Sequence, residues 1–233
     1  MCAFERSEKG MEFFMNNKKA VKIAGIILMI IIAIFLIHTI RNYVIISKLQ
    51  KQLVKYQTYQ SYFIKTKTTD NKGGEVILSY YKNKDKEVAI MERKLNGEVT
   101  KMSMYNNGQR IDVFYDTPTD KTVQIDSKAS MIINSYNFLE TDNNWQTFLG
   151  SIFARIKNSE YNGKKCYIIN DFKTPMFMNG TEKNEYYIEK DTGLYLKAIV
   201  DEQTSEREYD FNNVDDSIFI EPDISQYRLQ ENN

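Results

Sequence analysis

The chain has 233 residues, room for one ordinary domain plus an appendage, and its 31 basic and 31 acidic residues cancel, so no net field points to nucleic acid. Three Pro and ten Gly argue against a disordered or collagen-like chain, while 16 Tyr and 13 Phe favour half-buried strand surfaces. The abundance of Lys, Asn, Ile and Tyr is that of an AT-rich bacterial genome.

Residues 1–19 read as a short N-terminal tail carrying Arg6, Lys9, Lys18 and Lys19. From Ile23 to Ile37 there is no polar side chain, and the apolar run extends from Val21 to Ile40. About 20 such residues cross a hydrocarbon core of roughly 30 Å. The run is apolar on every face, which a soluble surface helix is not. Lys22 can snorkel and Tyr43 suits the interface. No small-residue cleavage site follows, so residues 20–42 are expected to form a retained transmembrane helix. Positive charges flank it almost evenly, and the orientation rests on the short tail: N-terminus inside, the rest outside. The expectation is a single-pass protein of the cytoplasmic membrane of a bacterial, Gram-positive cell, with an extracytoplasmic C-terminal domain.

Residues 43–60 carry Leu49, Leu53 and Tyr56 at helical spacing among Lys and Gln, which predicts a juxtamembrane helix that packs on the domain beyond. From 61 to 228 the pattern is largely that of strands, and 229–233 form a polar tail. Ser61–Thr69, Glu75–Lys82, Glu87–Leu95, Val99–Tyr105, Gln109–Asp116 and Lys121–Asp126 alternate with period two and are separated by Asn/Asp/Gly-rich turns. Such short links predict an antiparallel meander.

Within Asp142–Asn158, Trp145, Phe148, Leu149, Ile152, Phe153 and Ile156 recur at helical spacing. They predict an amphipathic helix, capped by Thr141 or Asp142, with its apolar stripe against the inner face of the sheet. Strands resume at Lys165–Asp171, Glu185–Lys190, Leu194–Asp201 and Glu206–Val214, with Lys190–Gly193 as a hairpin turn. Charge is uneven: residues 41–101 carry 13 basic against 6 acidic groups, and 102–233 carry 13 against 22. The basic stretch adjoins the membrane, where anionic head groups can attract it; an ordinary solvated surface reads the same way.

The chemistry of catalysis is missing from the pattern. The sole histidine, His38, lies at the edge of the membrane helix, which leaves no Ser-His-Asp or Cys-His arrangement and no His-based zinc site beyond it. No phosphate-binding glycine loop and no calcium loop occurs. Cys2 and Cys166 lie on either side of the membrane run, and Cys166 reads as a small packed strand residue. Asn179-Gly180-Thr181 fits a glycosylation sequon that a bacterial chain leaves bare. No catalytic residue, metal ligand or cofactor is expected, and the chain reads as a non-enzyme.

What remains is a curved antiparallel sheet with a helix inside it. By alternation, Ile111, Val113, Tyr186, Ile188 and Leu196 point inward, and Trp145 and Phe148 face them from the helix. These seven are the candidate ligand-binding face, since a concave apolar surface left partly uncovered can admit a hydrophobic partner. The same surface filled by its own side chains would make a structural or regulatory module that engages another protein.

Two segments carry a family resemblance. Tyr186–Lys197 (YYIEKDTGLYLK) resembles a hairpin of the LolA/LolB-like lipoprotein-carrier superfamily, and Asp215–Pro222 (DDSIFIEP) is similar to its Asp-x-x-Phe-x-x-Pro ending. Ser61–Lys65 fits its first strand, so the resemblance covers about residues 47–228. It implies an α+β, mainly antiparallel fold: an unclosed half β-barrel of about ten strands wrapped on one or two helices, with a hydrophobic cavity. It also implies partners among lipids or lipoprotein acyl chains, besides membrane lipid around the anchor. A shuttle must diffuse between membranes, whereas this chain keeps a helix, which fits the RseB/MucB-like sensor domains of the superfamily and an as yet unidentified protein partner better. No nucleic acid is implied.

Overall fold

The structure is a computed structural model and describes residues 2–69, 73–95, 97–126, 144–170, 184–200, 202–212 and 214–230. A single helix, α1 (Cys2–Gln57), opens the chain without a break between the apolar run and the amphipathic stretch. Its span Ala20–Tyr56 contains a window of mean hydropathy 3.0, long and apolar enough to cross a membrane. From Val21 to Ile37 its large apolar side chains are exposed. From Thr39 a buried stripe begins: Thr39, Asn42, Ile46, Leu49 and Leu53, spaced alternately three and four apart.

Beyond it come β1 (Ser61–Thr69), β2 (Glu75–Asn83), β3 (Lys86–Leu95), β4 (Glu98–Asn106), β5 (Ile111–Asp116) and β6 (Lys121–Gln124), then α2 (Asn144–Phe153). β7 (Arg155–Tyr161), β8 (Lys164–Asn170), β9 (Glu185–Glu189), β10 (Tyr195–Val200), β11 (Gln203–Phe211) and β12 (Arg228–Leu229) follow. All twelve share one unclosed sheet, ordered β12-β6-β5-β4-β3-β2-β1-β11-β10-β9-β8-β7. Every pairing is antiparallel except β12 on β6. The two meanders therefore meet where β1 pairs β11, from Tyr62–Phe211 to Thr69–Thr204.

The helix expected over 142–158 is shorter. It stops at Phe153, and Ile156 belongs instead to β7, paired with Ile169 of β8. Asn162 and Gly163, both at positive φ (50° and 74°), form the turn that pairs these strands. The cap residues expected at 141 and 142, and the sequon at 179–181, lie outside the described residues.

The stripe on α2 is also oriented otherwise than expected. Trp145, Leu149 and Phe153 are exposed, while Thr147 and Ser151 are buried. Small polar residues four apart let α2 approach α1 closely, and the large ones are left outside. Asn42, wholly buried, donates from Nδ2 to the carbonyls of Ser151 at 3.2 Å and Ala154 at 2.6 Å, satisfying the C-terminal end of α2. Gln50 Nε2 donates to Thr147 Oγ1 at 3.1 Å, so α2 runs antiparallel to α1 with its C-terminal end toward the membrane run.

Two apolar clusters form on the concave side. In the first, Ile46, Leu49 and Leu53 of α1 pack with Ala154, Ile156, Ile169, Ile188 and Leu194. In the second, Tyr80, Ala89, Met104 and Val113 meet across β2–β5, flanked by Tyr62, Met102, Ile111 and Tyr115. The convex side of β3–β6 is closed by the C-terminal segment, where Tyr227 meets Phe114 edge-on at 5.1 Å and the Gln230 amide donates to the Val123 carbonyl at 2.8 Å. Val88, Phe114 and Val123 are buried there. Asp215 and Asp223 cap two short 3-10 turns (Asp216–Phe219 and Ile224–Gln226) by accepting from Ser217 and Ser225 amides, at 2.9 and 3.0 Å.

Candidate functional site: a breach between two strands

The hairpin β9–β10 is seated directly on α1. Its turn closes by Gly193 donating to the Glu189 carbonyl and Glu189 donating to that of Leu194, both at 2.9 Å. Gly193 has φ of 75°, and a Cβ at this position would lie 2.5 Å from the Leu49 carbonyl oxygen and 3.0 Å from Leu53 Cγ. Only glycine satisfies both the left-handed backbone and the close approach.

On its other side the hairpin pairs over a short stretch only. β10 and β11 pair only from Lys197–Glu206 to Val200–Gln203, and β10 carries an irregularity between Tyr195 and Lys197 where it meets β9. Beyond the Lys197–Glu206 pair the ladder ends. The Tyr209 hydroxyl crosses the gap and donates to the Tyr195 carbonyl at 2.8 Å, standing in for a backbone amide.

A cavity of about 400 Å³ occupies this breach. Leu194 and Leu196 line one side, and Arg207, Glu208, Tyr209 and Phe211 the other. Tyr56 of α1 contributes to its lining, and Tyr161, Asn162, Lys164, Glu189 and Thr192 add polar groups. Lining residues come from both faces of β11, since Arg207, Tyr209 and Phe211 alternate with Glu206, Glu208 and Asp210. On the convex side Tyr161 donates to Glu206 at 2.6 Å; burial and that carboxylate push its hydroxyl up to about 12. Lys164 ion-pairs with Glu189 at 3.2 Å.

Arg207 is the one strongly charged group on the inner side of this lining. Its guanidinium stacks on the Tyr195 ring, 4.0 Å from the centroid. Its Nε and Nη1 are buried and have no hydrogen-bond partner. Burial pushes the Tyr209 hydroxyl above its ordinary range, and the adjacent Arg207 charge opposes that shift. A buried donor without an acceptor costs on the order of 1–3 kcal/mol, more for a charged group.

The residues expected to form a ligand face fall in four places. Leu196 lines the cavity. Ile188 is fully buried in the cluster around α1, with Tyr186 packed against it. Ile111 and Val113 belong to the second cluster, Val113 buried. Trp145 is 64% exposed and stacks on Phe148, which meets Tyr43 of α1 edge-on. Arg207, Tyr209 and Phe211 were not among the expected residues, although GluArgGluTyrAspPhe shows the signal: acids alternate with one arginine and two aromatics.

Cys166 is buried, and its thiol, pushed up by burial, donates to the Lys164 carbonyl at 3.4 Å. Among the described residues no group of three His, Cys, Asp or Glu side chains is placed to hold a metal.

No family model matches the sequence, and no curated protein does. Among solved structures, a DUF1329 family protein from Desulfovibrio piger is 13% identical at a TM-score of 0.30, covering 78% of this chain and 97% of that one. MucB, solved in complex with periplasmic MucA, is 12% identical at 0.32, covering 73% of this chain and 57% of its own. A LolA superfamily protein from Nitrosomonas europaea is 9% identical at 0.26, covering 75% and 97%. The structure itself shows an unclosed, mostly antiparallel sheet joined to an N-terminal apolar helix.

Proposed function

We propose that this protein is a membrane-anchored domain that binds a lipid or another hydrophobic ligand on the extracytoplasmic side, without a chemical step. The observation that carries the reading is the cavity of about 400 Å³ between β10 and β11, walled by Leu194, Leu196, Tyr209 and Phe211 and bounded by Tyr56 of the anchor helix itself. That volume lies in the range of small-molecule sites, and a few polar groups among aromatic and aliphatic walls are their usual make-up. The membrane helix (residues 20–42), the juxtamembrane turns (43–60) and the sheet domain (61–228) act as one body, because the buried stripe starts at Thr39 and continues to Leu53. The anchor therefore holds the cavity at a fixed distance from the bilayer.

Native mass spectrometry on the full chain, released from detergent micelles, tests this. A one-to-one adduct of lipid mass is expected, lost when Leu196→Trp fills the cavity in a protein with unchanged circular dichroism. Absence of any adduct, with no uptake of added lipid, would leave the second reading. That reading, a module that engages a partner protein, is favoured by one observation: Trp145, Leu149 and Phe153 are exposed at four-residue intervals along α2.

A further inference from the structure

The cavity does more than offer apolar walls. It contains a half-buried arginine, two of whose nitrogens, Nε and Nη1, are buried and have no hydrogen-bond partner among the described residues. Arg207 arises from β11 opposite Thr66 of β1, and Thr66 brings no charge to meet it. Tyr195 holds the guanidinium face-on, which fixes its plane but accepts no hydrogen bond from its Nε–H or Nη1–H groups. Among the described residues no carboxylate forms an ion pair with Arg207. The nearest acids in sequence, Glu206 and Glu208, project from the opposite face of the strand, and Glu206 is engaged by Tyr161. Tyr209 donates its hydroxyl proton to the Tyr195 carbonyl and its oxygen meets the guanidinium, which still leaves Nε and Nη1 without an acceptor.

A guanidinium is far too weak an acid to shed its proton and relieve burial. Such a group is stabilised by an oxyanion, and geometry limits where one can sit: inside the breach, among Leu196, Tyr209 and Phe211.

We propose that Arg207 is the head-group site of the cavity, and that the ligand is an amphiphile with a carboxylate or phosphate head on Arg207 and an apolar chain along Leu196, Tyr209, Phe211 and Tyr56. This rests on the hydrophobic-ligand reading above and narrows it to a chemical class. The gap between β10 and β11 is the entry, because there the wall lacks a backbone ladder and side chains, Tyr209 and Arg207 on Tyr195, bridge it instead.

The test uses the full chain in phosphatidylcholine nanodiscs and three photoreactive probes: a diazirine fatty acid, its matched fatty alcohol, and a diazirine phosphatidylglycerol. Labelled peptides are mapped by mass spectrometry. The fatty acid or the phosphatidylglycerol should label β10–β11 peptides at least about tenfold more than the alcohol, the usual margin of a charge-assisted hydrogen bond. Whichever anionic probe labels tells carboxylate from phosphodiester, and competition by excess inorganic phosphate alone shows that the head suffices. Arg207→Gln should remove the preference, and Arg207→Lys should keep part of it. The wild-type ratio needs no variant, so a poorly folding substitution does not blunt the test. Equal labelling by acid and alcohol would overturn the head-group assignment while leaving a hydrophobic cavity. Labelling of β10–β11 by none of the probes would overturn both.

Discussion

The two meanders of this sheet are closed in opposite ways. The β7–β11 half is filled on its concave side by α1, so the helix whose apolar part is long enough to cross a membrane also supplies the core residues Ile46, Leu49 and Leu53. The β2–β6 half is closed on its convex side by the C-terminal segment, which lays Tyr227 on Phe114 and adds β12 to β6. The first half carries the cavity and Arg207, whose Nε and Nη1 lack a hydrogen-bond partner among the described residues; the second carries a dense apolar cluster around Met104 and Val113. In the half built on the helix, the pairing between β10 and β11 stops at Lys197–Glu206. In the half closed by a short irregular segment, the ladders run unbroken from β1 to β6.

This contrast can be broken most severely at Gly193. Gly193→Ala places a Cβ against the Leu49 carbonyl at a left-handed backbone position, and should cost at least about 3 kcal/mol. Urea unfolding of the full chain in detergent, followed by far-ultraviolet circular dichroism, reads this directly. A midpoint near wild type would mean that the hairpin does not rest on α1.

A smaller effect is expected at Asn42. Asn42→Ala removes the donor to the Ser151 and Ala154 carbonyls and should lower stability by about 2 kcal/mol. Amide exchange should rise in α2 before the β2–β5 ladders respond. Uniform exchange across both halves would show that α2 is not held from the membrane helix.

The smallest effect lies on the other half, at Glu221. Arg110 bridges Glu221 at 3.5 Å and the buried Asp112 at 2.8 Å. Burial, followed by the Asp112 charge, raises the Glu221 carboxyl above its ordinary range, and Arg110 pulls against them. A carboxyl with a raised folded pKa binds more protons folded than unfolded, so its contribution falls as pH rises from the ordinary glutamate value through the raised one. Glu221→Gln should flatten that slope and change neutral-pH stability by no more than about 0.5 kcal/mol, given its partial solvent screening. An unchanged slope between pH 4 and 7 would place the titrating group elsewhere.

Much of this was legible in advance. The apolar run of 23–37 has one physical solution in a lipid core, and the Leu49, Leu53, Tyr56 spacing marked the face that packs. Most strands announced themselves by alternation between turn residues. The motif Lys190–Gly193 pointed to a hairpin turn, and the structure adds why the glycine is required. β7 was overlooked because apolar residues at 152, 153 and 156 prolong a helical period, although Asn162-Gly163 marked its turn.

The sequence by itself determined the long apolar helix, the period-two strands and the resemblance to an unclosed barrel, because each depends on local patterns of a few residues. The tertiary structure decided which face of α2 is buried, where the ladder fails and which side chain stands in the gap. Those depend on contacts between residues about 100 or more apart, such as Asn42 with Ser151. An arginine in an alternating strand reads as a solvated charge, and only the packed structure places two of its nitrogens, Nε and Nη1, buried beside a cavity without a hydrogen-bond partner among the described residues.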